Sequence, residues 1–309
     1  MNISKFAPIF IPTLNRYDHL KRCIESLAKC THADKTDLYI ALDYPANESH
    51  WKGYKKIEKY IETISGFKTI AIVKRKENFG AMKNYFEGRN ELFKNNDKII
   101  FTEDDNEFSP NFLDYMNKGL DKFKNNNRIY AICGYKHPIE IPDSYKANYF
   151  FHRANSAWGF GLWKNKIQDD FYTTSQMKDF IKNKIYLNEL KGLSGRHYYN
   201  ILELIKLDIP RYGDFAVLLN NIKLNQYCVY PVISKIRNHG HDGTGVHCGT
   251  LIDSIYKKQL WDYEKEFSFI GNPPLESKII RKELKKYLRL NIYNKVKIVI
   301  SYNFQKYFK

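Results

Sequence analysis

The residues most able to do chemistry in this chain are three adjacent carboxylates, Glu103-Asp104-Asp105, which follow directly on the apolar run Lys-Ile-Ile-Phe at 98–101. Like charges this close repel, and gathering them at the end of a strand is costly unless a cation binds there. Oxygen donors of this kind suit a hard divalent ion such as Mg²⁺ or Mn²⁺, often shared with substrate phosphates. A solvated acidic turn is the plain alternative. The position after an apolar strand weighs towards metal. A second concentration lies in Asn-His-Gly-His-Asp-Gly-Thr-Gly-Val-His-Cys-Gly at 238–249, where His239, His241 and His247 cluster. Their spacing matches no familiar zinc pattern. Asp242 has no role that the sequence assigns. Trp158, Phe160 and Trp163 form an aromatic group that fits sugar stacking and a packed core equally well. Arg153 and Asn155 just before it could bind a phosphate or an acceptor oxygen, but read better as solvated surface residues.

These groups need a scaffold. Residues 6–12, 37–43, 68–73, 98–101 and 129–135 read as strands. Between them, Leu20, Cys23, Ile24 and Leu27 keep the spacing of a helix face, and Tyr54, Ile57, Ile61 and Ile64 do so over a helix at 51–64. Residues 81–94 read as a further helix, and Ser109-Pro110 as a helix start with Ser as the capping residue. Alternating strands and helices predict an α/β fold with a mostly parallel sheet covered on both faces. In such sheets ligands bind beyond the carboxyl ends of the strands. That rule selects Thr13–Arg16, Asp43, Arg75–Gly80 and Glu103–Asp105 as one set. After residue 136 the alternation fades into a loop-rich stretch, a few helices, a strand at 227–235 and the histidine loop. Asn272-Pro273-Pro274 then leads into a basic helical region.

Composition limits the classes. With 43% hydrophobic and 16% aromatic residues in 309, the chain is folded and large enough for a substantial core. It has no apolar run of membrane-spanning length, and its N-terminus does not read as a signal peptide, so a cytoplasmic location is expected. Five scattered cysteines without a Cys-x-x-Cys pair argue for free thiols. The net charge of +16 has a marked share at 276–309, where ten Lys/Arg face two Glu. This charge raises a nucleic-acid-binding alternative, which leaves the carboxylates at strand ends unexplained. A sugar nucleotidyltransferase is a third reading, but the first strand lacks the Gly-rich basic phosphate loop expected of one. The basic C-terminal segment fits either peripheral contact with an anionic membrane or a helix packed on the domain, and the second is preferred.

Ile9-Phe-Ile-Pro-Thr-Leu-Asn-Arg16 and the helix after it resemble the opening of the family 2 type glycosyltransferases with the GT-A fold. Asn78-Phe-Gly-Ala-Met-Lys-Asn84 with Gly88 is similar to the family's stretch over the nucleotide. Glu103-Asp104-Asp105 resembles its metal motif in the EDD form of N-acetylglucosaminyltransferase I. Trp158-Gly-Phe-Gly-Leu-Trp163, Gly213-Asp214-Phe215, Pro231–Lys235 and Gly243–His247 follow in the family's order, so the resemblance spans about residues 6–250. It implies a Rossmann-like GT-A sheet with a C-terminal helical extension. Residues 1–135 would be a nucleotide-sugar-binding half, 136–270 an acceptor-binding half of the same domain, and 271–309 the basic extension. It implies donor contacts from Pro12, Thr13, Arg16, Asp43 (to uracil), Asn78, Lys83, Glu103 and Asp104. Asp105 would be the direct ligand of Mn²⁺ or Mg²⁺, with His247 reaching the metal or a phosphate from a loop folded over the diphosphate. Trp158, Gly159 and Trp163 would face the acceptor, and Asp214 would be the catalytic base of an inverting transfer. The implied partners are a UDP-sugar and a glycan or lipid-linked acceptor, with no nucleic acid. The chain departs from the family pattern where DxD becomes EDD, where Lys83 stands for an arginine, and where a doubled acid is Asp214 alone.

Overall fold

The computed structural model describes residues 6–168, 171–245 and 254–290, together with Tyr293 and Ile298. It opens with β1 (Ile9–Thr13), α1 (Tyr17–Ala28), β2 (Asp37–Leu42), α2 (Glu48–Ile61), β3 (Thr69–Lys74), α3 (Gly80–Asn95) and β4 (Lys98–Phe101). Next come β5 (Asn106–Phe108), α4 (Phe112–Phe123), β6 (Ile129–Cys133), β7 (Tyr149–His152), β8 (Phe160–Trp163) and β9 (Phe171–Tyr172). The chain continues through α5 (Thr174–Lys182), α6 (Lys184–Leu193), α7 (Gly195–Leu207), β10 (Arg211–Tyr212) and α8 (Asp214–Lys223). It closes with β11 (Tyr227–Pro231), β12 (Ile236–Asn238) and α9 (Lys278–Tyr287).

Eight strands form the main sheet in the order β3-β2-β1-β4-β8-β6-β11-β7. Strands β7 and β8 run against all the others, so the sheet is mostly parallel. The period of two along each strand divides the core. Ile9, Ile11, Leu38, Ile40, Ile100 and Ile132 face α1, α2 and α4, whereas Phe10, Tyr39, Ile99, Phe101 and Ala131 face α3, α8 and α9. Helix α1 buries the expected Leu20, Cys23, Ile24 and Leu27, and α2 buries Tyr54, Ile57 and Ile61. Cys23, Cys30, Cys133 and Cys228 are buried free thiols. Helices α5 to α7 enclose a separate apolar cluster around Met177, Leu190 and Ile201.

Two expectations are corrected. Helix α4 starts at Phe112, not at Ser109-Pro110. The Ser109 N–H donates to the Lys235 carbonyl (3.0 Å), which keeps that residue in extended pairing with the far strand. The strand expected over 227–235 ends at Pro231, and a short strand, β12, resumes at Ile236. β12 leaves the main sheet and pairs antiparallel with β5, Asn106 facing Asn238. Helix α9 packs through buried Ile280 and Leu284, and Arg281 on its flank donates to the Gly192 carbonyl (3.0 Å).

Helix α3 lies close on β1 because Gly88 has no side chain, and a Cβ there would overlap the Phe10 ring. Gly88→Ala is therefore expected to destabilise the fold by about 2 kcal/mol through overpacking. A urea-unfolding midpoint unchanged from wild type would contradict this packing.

Candidate active site

The parallel strands deliver their polar ends to one edge: Thr13 from β1, Asp43 after β2, Arg75 after β3 and Glu103–Asp105 after β4. Pro12 lies within β1, paired with Ala41. Asp104 and Asp105 are buried. Asp104 accepts the Thr13 hydroxyl (2.7 Å) on Oδ2 and Arg16 Nη2 on Oδ1. Asp105 accepts Arg16 Nη1 (2.9 Å) on Oδ2 and Asn238 Nδ2 (2.8 Å) on Oδ1, and its carbonyl takes the His239 N–H (2.9 Å). The β5–β12 register is the cause, because setting Asn106 against Asn238 brings the acidic turn beside the start of the histidine loop. Glu103 is half-buried, and among the described residues its carboxylate has no hydrogen-bonding or ionic partner.

The electrostatics follow the geometry. Burial, then the charges of Asp105 and Asp214, push the Glu103 carboxyl well above its usual range. Burial also raises Asp104, against the opposing pull of Arg16 and the Thr13 hydroxyl. Burial works against the Arg16 charge, but the two carboxylates outweigh it and hold the guanidinium more firmly protonated.

Asp214 opens α8 behind Gly213, whose φ of 69° lies where a side chain would be strained. Its two oxygens accept Asn155 Nδ2 (3.1 Å) and the Ala157 N–H (3.0 Å). Burial raises its carboxyl, those two donors opposing. Asn155 is thus buried, not solvated. Arg153 is also buried, bonded to Glu189 (2.8 Å) and Glu276 (3.1 Å) and lying over the Tyr227 ring, so the surface reading of both residues is corrected.

Asp43 is buried and accepts the N–H groups of Phe79 (2.8 Å) and Tyr44 (2.9 Å) on Oδ1, with Asn78 Nδ2 at 3.4 Å from Oδ2. Arg75 Nε donates to Asn84 Oδ1 (2.8 Å), while its Nη2 is buried without a partner. Lys83 stands exposed over the Phe79 ring at 3.8 Å and pairs loosely with Glu77 (3.5 Å). No described contact joins Lys83 to the acids.

The aromatic segment splits. Trp158 is half-buried against Tyr135 (4.4 Å) and Tyr256 (5.1 Å), with the His241 ring at 5.8 Å. Gly159 has φ 119°, and a Cβ there would overlap Ile236. Trp163 is corrected to a core residue: it is 4% exposed, its Nε1 donates to the Leu120 carbonyl (3.1 Å), and no sugar can reach its ring. Phe160 is likewise buried.

His247 lies outside the described residues. His241 stands one residue beyond the glycine that meets Asp105, its ring rests on Tyr256 at 4.5 Å, and its Nε2 is buried without a partner. Burial lowers its pKa, with Asp105 opposing. Between them, Gly240 approaches so closely that a Cβ would strike the Asp105 carboxylate. His239 points away, to Glu107 (2.9 Å). Asp242 pairs with His19 (2.8 Å). Sequence reasoning did not single out Asn238, Arg75 or His241 as individual site residues. Only the pairing of two distant short strands distinguishes them.

Among the described residues no three acidic, Cys or His side chains are gathered ready to hold a metal. Arg16 occupies an oxygen on both aspartates. The donor set nevertheless fits a divalent ion. The carboxylates of Glu103 and Asp105 and the imidazole of His241, whose Nε2 has no partner and which follows the glycine pressed on Asp105, are groups of the kind that bind such ions.

The sequence model of glycosyl transferase family 2 matches residues 9–186, more than half of the chain. The chain belongs to the family 2 glycosyltransferases, and its α/β architecture is the GT-A fold. No curated protein matches it. Among solved structures it is similar to a mannosyltransferase, PcManGT from Pyrobaculum calidifontis in complex with GDP-Man and Mn²⁺. That match has 11% identity and TM-score 0.37, over 52% of this chain and 44% of the other. S. aureus TarS 1–349 matches at 12% identity and TM-score 0.40, over 77% and 61%. GalNAc-T7 with UDP, GalNAc and Mn²⁺ matches at 12% and 0.43, over 74% and 43%. The chain therefore spans less than two thirds of each of these structures.

Removing the Arg16 charge leaves two buried carboxylates with no cation. Arg16→Met is expected to lower stability in the absence of metal by about 3 kcal/mol, as for one partner of a buried pair. Chemical denaturation in chelator measures this, and a loss below about 0.5 kcal/mol, the scale of an ordinary surface change, would refute the counter-charge role.

Proposed function

We propose that the protein is an inverting, metal-dependent glycosyltransferase that moves a sugar from a UDP-sugar to a hydroxyl of a glycan or lipid-linked saccharide. The observation that carries this reading is the gathering of Thr13, Arg16, Asp43 and Glu103-Asp104-Asp105 at the carboxyl edge of the parallel strands, with the charge of Asp214, from the start of α8, acting on Glu103.

The residues divide the work by their chemistry. Asp43, fixed by two backbone N–H groups, offers Oδ2 to a nucleobase N–H, and the unpartnered Nη2 of Arg75 offers a donor to a base carbonyl. That pattern suits uracil. Pro12, Thr13, Arg16 and Asn78 line the same edge on the donor side, and Asp104 would face the ribose. Lys83, exposed on the first turn of α3, supplies a positive charge near the donor. Asp105, Glu103 and His241 would hold Mn²⁺ or Mg²⁺, with His247 an additional candidate. When bound, the ion supplies Lewis-acid stabilisation of the departing diphosphate.

Asp214 takes the proton of the acceptor hydroxyl as that oxygen attacks the anomeric carbon and the bond to the diphosphate breaks. Its two donors hold the carboxylate in one orientation, as a positioned base requires. Attack opposite the leaving group inverts the anomeric centre. The half-buried Trp158 offers a ring face for stacking an acceptor sugar beside Gly159. Carboxylates along the cleft repel a phosphodiester backbone, which disfavours nucleic acid as the ligand. Among the described residues no helix is long and apolar enough to cross a membrane. A cytoplasmic enzyme of surface-polysaccharide assembly, with its basic C-terminal segment near the inner membrane face, fits this reading.

The test is a screen of UDP-sugars with Mn²⁺, following UDP release, in which chelator is expected to abolish turnover. Asp214→Asn should keep UDP binding and lose transfer by about 10²–10⁴-fold, the contribution of a positioned base. Full activity in excess chelator would sink the metal role, and unchanged turnover of Asp214→Asn would remove it as the base.

A further inference from the structure

His19 and Asp242 lie 223 residues apart and meet beside the acidic turn, in a contact that neither the fold nor the proposed chemistry requires. His19 projects from the first turn of α1 and is buried, and its Nε2 contacts Asp242 Oδ2 at 2.8 Å. The other oxygen of Asp242 accepts both the N–H (3.0 Å) and the hydroxyl (2.7 Å) of Thr244. The Thr244 hydroxyl also lies 3.4 Å from His19 Nε2. This closes a tight turn through Gly243, whose φ is 87°. The turn begins one residue after His241, and Gly240 before it rests on the Asp105 carboxylate. The start of α1 thus grips the cleft twice: Arg16, just before the helix, holds the acids, and His19, in its first turn, holds the loop that stands against them.

We propose that Asp242 and His19 form a clasp that positions His241 against Asp105 and so sets the affinity of the cleft for a divalent cation with a nucleoside diphosphate. This rests on the metal–nucleotide reading of the cleft. Asp242 is on the exposed side of the loop and touches none of the apolar core, so its removal leaves the fold in place. What it removes is the tether of a segment with few other anchors. On the far side His241 meets, among the described residues, the rings of Trp158 and Tyr256, which allow sliding. Anchoring the residue next to a ligand fixes where the ligand stands, as a hydrogen-bonded partner behind a ligand does, and losing the anchor weakens metal binding without removing a ligand.

The experiment titrates Mn²⁺ into the full chain with saturating UDP at one fixed pH, reading unbound Mn²⁺ by electron paramagnetic resonance. A UDP-only titration is subtracted, and thermal melting runs in parallel. Asp242→Ala is expected to weaken Mn²⁺ binding about tenfold with the melting midpoint unchanged. His19→Gln, which keeps an N–H able to reach Asp242, should restore most of the affinity lost in His19→Ala. The double variant should be no weaker than Asp242→Ala alone, since both changes break one contact. Wild-type affinity in Asp242→Ala, or losses that simply add in the double variant, would overturn the clasp. If His19→Ala fails to fold, Asp242→Ala and His19→Gln decide the matter. Absence of protein-bound Mn²⁺ in the wild type would instead overturn the metal reading beneath it.

Discussion

Much of the cleft is organised around the cost of keeping Glu103, Asp104 and Asp105 side by side. Three carboxylates out of water repel strongly, and their charge must be met by donors or cations within hydrogen-bonding reach. The fold meets it unevenly. Arg16, Thr13 and Asn238 satisfy the two aspartates, drawn from the first strand end, the first helix and the last short strand. Glu103 has no hydrogen bond or ion pair of its own among the described residues, and the more distant Arg16 charge offsets the pressure of Asp105 and Asp214 only in part. The site is therefore stable enough to form and still electrostatically unfinished, as a centre that must receive a cationic or proton-donating ligand needs to be.

The small β5–β12 ladder has consequences beyond its length. It joins residues 106–108 to residues 236–238, and through that register the acidic turn meets Asn238, His239 and Gly240. The same pairing continues to the contact of Ser109 with Lys235, which delays the start of α4. Lys235 is itself buried and bonded to Asp262, so the return segment is anchored on both sides of the ladder. The chain thus ties two regions far apart in sequence into one wall without widening the main sheet.

The parts of this arrangement legible in the sequence are those set by local pattern. Apolar runs ending in polar residues located Thr13, Asp43 and Glu103–Asp105, because a parallel sheet presents its strand ends along one edge. Helical spacing identified the buried Leu20, Cys23, Ile24 and Leu27 of α1 and Tyr54, Ile57 and Ile61 of α2. Ile64, expected on the same face, falls beyond the end of α2 at Ile61 and is half-buried. What stayed hidden depends on contacts across long separations. Trp158 and Trp163 look equivalent in sequence, yet β8 pairs Trp163 with Lys98 at the opposite end of β4 from the acids. Arg153 reads as a surface charge because its partners Glu189 and Glu276 come from later elements. His241 could be separated from its neighbours only by knowing which residue of the loop follows a glycine pressed onto Asp105.

The reversed direction of β8 gives the cleft walls two different origins. On one side the acids sit where β4 finishes; across from Phe101 the chain is only entering β8 at Phe160. Segments that precede a strand can lengthen or change shape while the ladder behind them keeps its register, whereas those that terminate parallel strands are constrained by neighbours on each flank. The architecture therefore couples a conservative rim to an adaptable one, and relatives with different partners could diverge on the second without rebuilding the first.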